Sequence, residues 1–543
     1  MMRSTVEKMG NEIMEHIRLV GAAAITLMLG VCLTAGVTHT ALHWNPERSS
    51  YADALPAAPH EEDPLAHVGE GFVVDEDFSS HLPIVILDTG GVEPPITTRL
   101  EGIRYVTIEG IEPYVTGTVT LLDQPGGENK LGDLPAVTSN IRIKRRGNSS
   151  MMYEKAQWLM KLQTESGQDN DLDLLGMGAE HEWILNGSMW DKSMMRNYLG
   201  FWLAAQTTLL VPDSRFCEVL VRNGDTYTYQ GVYLLMENVK QGPNRVPIQD
   251  YQQNDLFNSY LIRRDRFEEN VNILNNYSLQ QGYSQEYIEL LYPSRHKVTP
   301  EMTSYVEKDL SAIERVLYSD DEKTFARYRD VIDVDSFVDY FLVNEFVGNY
   351  DAGNHSTYAY KDVGGKLTMG PVWDFDNGMD NAEKEMMKVE HLAFNEKPWF
   401  EQLCRDQAFV QKLQNRYAEL RRTTFSDISI DTKMQEIIDH LGGAQQREWA
   451  RWNRYYTTET LYSIENVQNE DGEIINRQTT TYWDEICRIK NVLHDHGEEI
   501  PGQIKLLNRS CIWDTGMSSW RGMLLFLAAM LFLIPVYFVT YRR

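Results

Sequence analysis

GPVWDFDNGMDN, residues 370–381, sets Asp374, Asp376 and Asp380 within seven positions, beside Trp373, Phe375 and Gly378. It directly follows a strand-like run, KLTMGPVW. Carboxylates at the mouth of a strand are hard oxygen ligands, suited to Mg²⁺ or Ca²⁺ and, through Mg²⁺, to phosphate. Upstream, NYDAGNHSTYAY (349–360) adds Asp351 with the amides Asn349 and Asn354. Asp351 and Asp374 lie 23 positions apart, a spacing that fits a strand–turn–strand return to one end of a sheet. In phosphoryl transfer one such acid orients the acceptor hydroxyl while the other holds Mg²⁺ on the phosphates. The plainer reading is acidic turn residues, because Asp and Asn are common in turns. Two acid- and amide-rich segments flanked by aromatic strands favour the site.

The charge balance narrows the partners. With 51 Lys and Arg against 79 Asp and Glu, the formal charge is −28, so the basic footprint that nucleic acids require is missing. The five cysteines, Cys32, Cys217, Cys404, Cys487 and Cys511, are widely spaced, with no CxxC and no zinc-type histidine spacing. Nucleophile elbows (GxSxG), HExxH, Walker and GxGxxG motifs are absent, and no glutamate pair stands out for glycoside hydrolysis.

Two apolar stretches set the expected topology. Residues 19–41 and 522–541 carry no Asp, Glu, Lys or Arg, and each matches the roughly 20 residues a bilayer-crossing helix needs. Arg3, Lys8 and Arg18 precede the first stretch, and Arg542 and Arg543 follow the second. The positive-inside rule then puts both termini in the cytoplasm. The expected protein is a multi-pass one in the cell membrane with its main domain extracytoplasmic. A cleaved signal peptide and a lipoprotein site at Cys32 are the weaker alternatives for the first stretch. The domain reading is a cytoplasmic tail (1–18), a transmembrane helix (19–41), a linker (42–65), one large domain (66–515) and a second transmembrane helix (522–541).

Within the large domain, 66–140 is rich in β-branched runs separated by Gly, Pro and Asp turns. LPIVILDT (82–89), YVTGTVTLL (114–122), NIRIKRR (140–146), KAQWLMKLQT (155–164), CEVLVRN (217–223) and YTYQGVYLLMENV (227–239) read as strands. Helical spacing appears at 191–206 and 335–347 and dominates after Asn381. The whole reads as α+β, with a β-rich N-terminal part and a helical C-terminal part.

Three further segments carry polar groups that chemistry could use. KRRGNSSMMYEK (144–155) combines Arg146, Asn148, Ser149 and Lys155 around Gly147, a set able to approach phosphate or to form a plain hairpin turn. DKSMMRN (191–197) sets Asp191 at a helix start, with Arg196 and Asn197 one to two turns on. GVYLLMENV (231–239) is an apolar strand that ends in Glu237 and Asn238.

Taken in order, RGNSS (146–150) with Lys155, WILNGSMWDKSMMRNYLG (183–200), GVYLLMENVK (231–240), YLIRRDR (260–266) and the long block 343–381 resemble the CotH spore-coat kinases. The resemblance covers roughly residues 80–500. It implies an atypical protein-kinase-like fold that uses ATP and Mg²⁺, with Ca²⁺ or Mn²⁺ as other possible ions, to phosphorylate Ser or Thr of extracytoplasmic or cell-envelope proteins. It makes Asp351 and Asp374 the catalytic acids, and Asp374, Asp376 and Asn354 the metal-binding set. Arg146, Asn148, Ser149, Lys155 and Glu237 become the nucleotide contacts. The family commonly has two adjacent lysines where this chain has Lys155-Ala156, and a further basic position in that strand is Leu159 here. Gly378 arrives early in its motif. The competing expectation is a non-catalytic surface or coat-assembly module that uses the acidic cluster for Ca²⁺ or partner docking.

Overall fold

Strands that read as unbroken apolar runs are buried on both faces, and the computed structural model shows why. It describes residues 51–516 apart from 102–103, 126, 148, 254, 256, 267–272, 383–386, 458–466, 469–473, 476 and 478–480. Seven strands close into a barrel: β1 (Ile84–Asp88), β2 (Val115–Leu122), β3 (Val137–Arg145), β4 (Trp158–Gln163), β5 (Glu182–Asn186), β6 (Ser214–Asn223) and β7 (Thr226–Glu237). Their order is β7-β5-β4-β3-β2-β1-β6, and β6 pairs back onto β7 to shut the ring. All contacts are antiparallel except the parallel register of β1 on β6, Glu218 with Ile84 through Arg222 with Asp88.

Alternation along each strand then divides two cores. Trp183, Leu185, Tyr233 and Leu235 face the barrel interior with Ile141, Ile143, Met160 and Val219. Their neighbours Ile184, Val232, Leu234 and Met236 point outward into a larger core shared with the helices. A second sheet of four strands, β8 (Tyr260–Asp265), β9 (Tyr287–Tyr292), β10 (Thr357–Lys361) and β11 (Thr368–Met369), has the order β9-β8-β10-β11. The longer helices are α1 (Arg196–Ala205), α2 (Pro300–Leu317), α3 (Val334–Phe346), α4 (Gln407–Leu420), α5 (Asp427–Thr457, kinked at Gly442) and α6 (Tyr482–Ser510).

Helix α5 is fixed to the barrel by two consecutive ion pairs. Arg447 meets Glu218 of β6 through two hydrogen bonds of 2.8 Å. Glu448 accepts from Lys155 Nζ at 2.7 Å and from the Val232 amide at 2.7 Å. The neighbouring Gly231, with φ of 121°, leaves room for that carboxylate: a Cβ there would stand 2.1 Å from Glu448 Oε2. The segment expected as a linker also packs here, with Glu61 on Arg447 and the Ala58 amide on Asp439 O.

Two expectations are corrected. The kinase-like α+β fold framed by membrane helices gives way to a mixed α/β arrangement built on a closed seven-stranded barrel. The closing pair, β1 on β6, joins segments more than a hundred residues apart, which local patterning does not reveal. The multi-pass membrane protein is not retained either: among the described residues no helix is long and apolar enough to cross a membrane. The two segments expected to do so, 19–41 and 522–541, lie outside the described residues.

Candidate functional site

The β10–β11 hairpin pairs Ala359 with Met369 and Tyr360 with Thr368. The chain entering β10, which holds Asp351, and the chain leaving β11, which holds Asp374, therefore emerge at the same end. Asp351 is partly exposed and accepts from Asn377 Nδ2 at 2.9 Å, with Arg266 3.9 Å away. Asp374 accepts from Ser356 Oγ at 3.2 Å, and Asp376 from Ser188 Oγ at 2.7 Å.

Helix α1 and its approach hold the acidic loop by its backbone. Asn197 Oδ1 accepts from the Phe375 amide at 2.8 Å. Arg196, fully buried, donates to Gly378 O at 3.0 Å and Met379 O at 3.1 Å. Its charge is met by Asp191 at 2.8 Å and by Glu485 of α6 at 2.6 Å. The fit is close enough that a Cβ on Gly200 would lie 2.4 Å from the Phe375 ring. Four non-glycine residues of the site, Ser356, Asp374, Met379 and Asp380, have φ between 48° and 64°. Each such left-handed residue costs on the order of 1 kcal/mol and persists only where its surroundings impose it.

The electrostatics follow from crowding carboxyls out of water. Burial, then the charge of Asp351, raises the Asp374 carboxyl above the usual range, while Arg146 opposes the shift. Burial, then the charge of Asp374, raises Asp376 well above it. Neighbouring like charges disfavour each other's ionisation, and a cation relieves that cost. From the barrel side the charge that acts on Asp374 is Arg146, just past β3, stacked 5.3 Å over Trp373 and donating to Gln157 at 3.1 Å. Its own guanidinium is lowered by burial. Asn349, 2% exposed, donates to Asp374 O at 3.1 Å, while its Oδ1 has no donor among the described residues. A half-buried and a buried carboxyl, an amide oxygen without a donor among the described residues and a nearby arginine fit a divalent cation carrying an anion.

The other expected residues lie at varied distances from this group. Ser149 sits in the 3-10 turn Ser149–Met152 that follows Gly147, and Asn148 lies outside the described residues. Lys155 is buried against Glu448 and Val232 O. A small cavity of ≈ 20 Å³ separates it from Ser188, Asp191 and Asn197. Glu237 is buried in an ion pair with Arg245 and accepts from the Asp213 amide at 3.0 Å. Asn354 shares the turn of Asp351, its amide donating to Asp351 O at 3.2 Å, and its side chain lines a separate cleft. Ser188 and Ser356 were missed by the sequence reading: a lone serine in a loop carries no signal until the fold sets it against a carboxylate.

Fold and site together are a closed barrel whose strand end faces an acidic loop that is clamped from behind by α1 and α6. The chain belongs to the CotH kinase protein family, whose model matches residues 143–496, well over half of the sequence and inclusive of every group described above. No curated protein matches the chain.

Proposed function

We propose that this protein is a phosphotransferase that moves the γ-phosphoryl group of ATP onto Ser or Thr hydroxyls of proteins, with Mg²⁺ as its cofactor. The observation that carries the reading is the convergence of Asp374, half-buried, and Asp376, buried, on the loop that also meets Asp351 through Asn377 and Arg146 through Trp373. Asp374 and Asp376, with Asn349 Oδ1, would hold Mg²⁺, which would neutralise charge on the phosphates; the Asn354 side chain, in the separate cleft, would not join them. Arg146 offers planar donors to the same phosphates, and Trp373 beneath it fixes its plane.

Asp351 is the exposed acid of the group and the natural partner of the acceptor hydroxyl. Asn377 holds one of its oxygens, and the other, with Arg266 3.9 Å away, faces the incoming O–H. As the acceptor oxygen bonds to γ-phosphorus, the bond to the β–γ bridging oxygen breaks and ADP leaves with that electron pair. The acceptor proton passes to Asp351 and then to solvent. Lys155 supports the reading as a brace, fixing β4 to α5 beside the site.

Thermal shift and radiolabelled-phosphate transfer test the proposal together. Mg²⁺ with ATP is expected to stabilise the protein and to give transfer to a Ser-rich protein, while Asp374→Asn loses both yet keeps its far-UV spectrum. Stabilisation by Ca²⁺ alone, without any nucleotide effect, would instead mark a binding module. Transfer that survives Asp374→Asn removes that residue from the metal site.

A further inference from the structure

Beside Asp351, but away from Asp374 and Arg146, lies a second and much larger space. A cleft of ≈ 780 Å³ opens between the turn at 350–354, the segment 388–397 that follows the acidic loop, and one face of α6. That volume falls in the range of sites that enclose a ligand. The cleft reaches the acids only through the residues on either side of Asp351, namely Tyr350 and Asn354. Lys397 ties its wall to that turn by donating to Tyr350 O. Neither Asp374, Asp376 nor Arg146 lines it, so it is not the phosphate side of the site.

Its chemistry is mixed in an informative way. Helix α6 contributes Gln503, Leu506, Leu507 and Ser510, which recur at helical spacing on one face. Leu506 is 56% exposed, an apolar surface next to a polar turn. Opposite, Asn395 Oδ1 is enclosed and has no donor among the described residues. A peptide backbone meets the polar wall of Asn354 and Asn395, and an apolar side chain covers the leucines. ATP has no need of either.

We propose that this cleft seats the acceptor as an extended polypeptide segment, its hydroxyl residue at Asp351 and a neighbouring apolar residue on Leu506 and Leu507. The inference rests on the phosphotransferase reading for what happens to the hydroxyl, as balanced above, but not for the binding itself.

The test uses the full-length chain and a fluorescein-labelled peptide with one Ser flanked by leucines, beside the same peptide with glutamines for leucines. Binding is read by anisotropy without nucleotide, and transfer by radiolabelled ATP. Leu506→Glu should weaken binding and raise the peptide KM by about tenfold or more, because a charge then sits on the apolar seat. Asn395→Leu should weaken binding with the melting temperature retained, and the KM for ATP should stay unchanged in both variants. The glutamine peptide should bind less well than the leucine peptide. Failure of the leucine peptide to bind the unaltered protein, or equal binding by the unaltered protein and both variants, overturns the cleft. Binding that responds to Leu506→Glu without transfer by the unaltered protein overturns the phosphotransferase reading and leaves the cleft standing.

Discussion

Glu401 shows at the scale of one residue what the acidic site shows with three. Its Oε2 is enclosed without a donor among the described residues, and burial pushes its carboxyl up to about 7 from an ordinary 4.5. A raised carboxyl favours the folded state while protonated. Its contribution is fully present below about 4.5 and is lost as pH rises to about 7, where the fold must hold the charge. Glu401→Gln removes that loss. Urea melts at pH 4.5 and pH 8 should show the variant gaining on the unaltered protein by up to about 3 kcal/mol at the higher pH. A difference independent of pH would mean that Glu401 ionises freely. Nothing in the flanking sequence distinguishes this glutamate. The Asp374–Asp376 pair was legible as a cluster, yet the upward shift of both carboxyls depends on burial that only the fold supplies.

Elements were legible where their residues obeyed a local period. The runs around Ile84–Asp88, Val115–Leu122 and Thr226–Glu237 are strands, and the helical spacing at 335–347 is α3, Val334–Phe346. Strand β5, Glu182–Asn186, is not among the strands read from the sequence, and its place beside β7 and β4 comes from pairing alone. The joint between α5 and the barrel was not legible either, because Lys155 and Glu448 are 293 positions apart. At 1% and 0% side-chain exposure, this pair is a buried salt bridge. Removing one partner from such a pair leaves a lone buried charge and costs roughly 3–5 kcal/mol. Lys155→Met and Glu448→Gln should each destabilise by about that much, and the double variant by clearly less than their sum. A double-mutant cycle in urea measures the coupling. Strict additivity would free Lys155 from its bracing role and return it to the phosphates.

The whole molecule explains why the site is assembled as it is. Arg146 comes from the barrel, Asp351 and Asp374 from the hairpin of the second sheet, and the Arg196 clamp from α1 with Glu485 of α6. The hairpin half was legible because it spans few residues; the clamp was not, since Arg196 and Glu485 meet across 289 positions. Over all of this lies a formal charge of −28, which opposes the compact state by self-repulsion. Any salt will screen that repulsion, so stabilisation by MgCl₂ alone proves little. NaCl and MgCl₂ at matched ionic strength separate the effects. A cation bound only by the folded state adds about 2.7 kcal/mol at a hundredfold excess over its Kd, beyond whatever screening provides. The unaltered protein should melt higher in MgCl₂ than in matched NaCl. Asp374→Asn should keep the NaCl response and lose the difference, because the acidic surface is untouched while the buried pair is broken. If the variant retains the full Mg²⁺ increment, the cation is held by the surface charge and the carboxyl pair is only a strained piece of core.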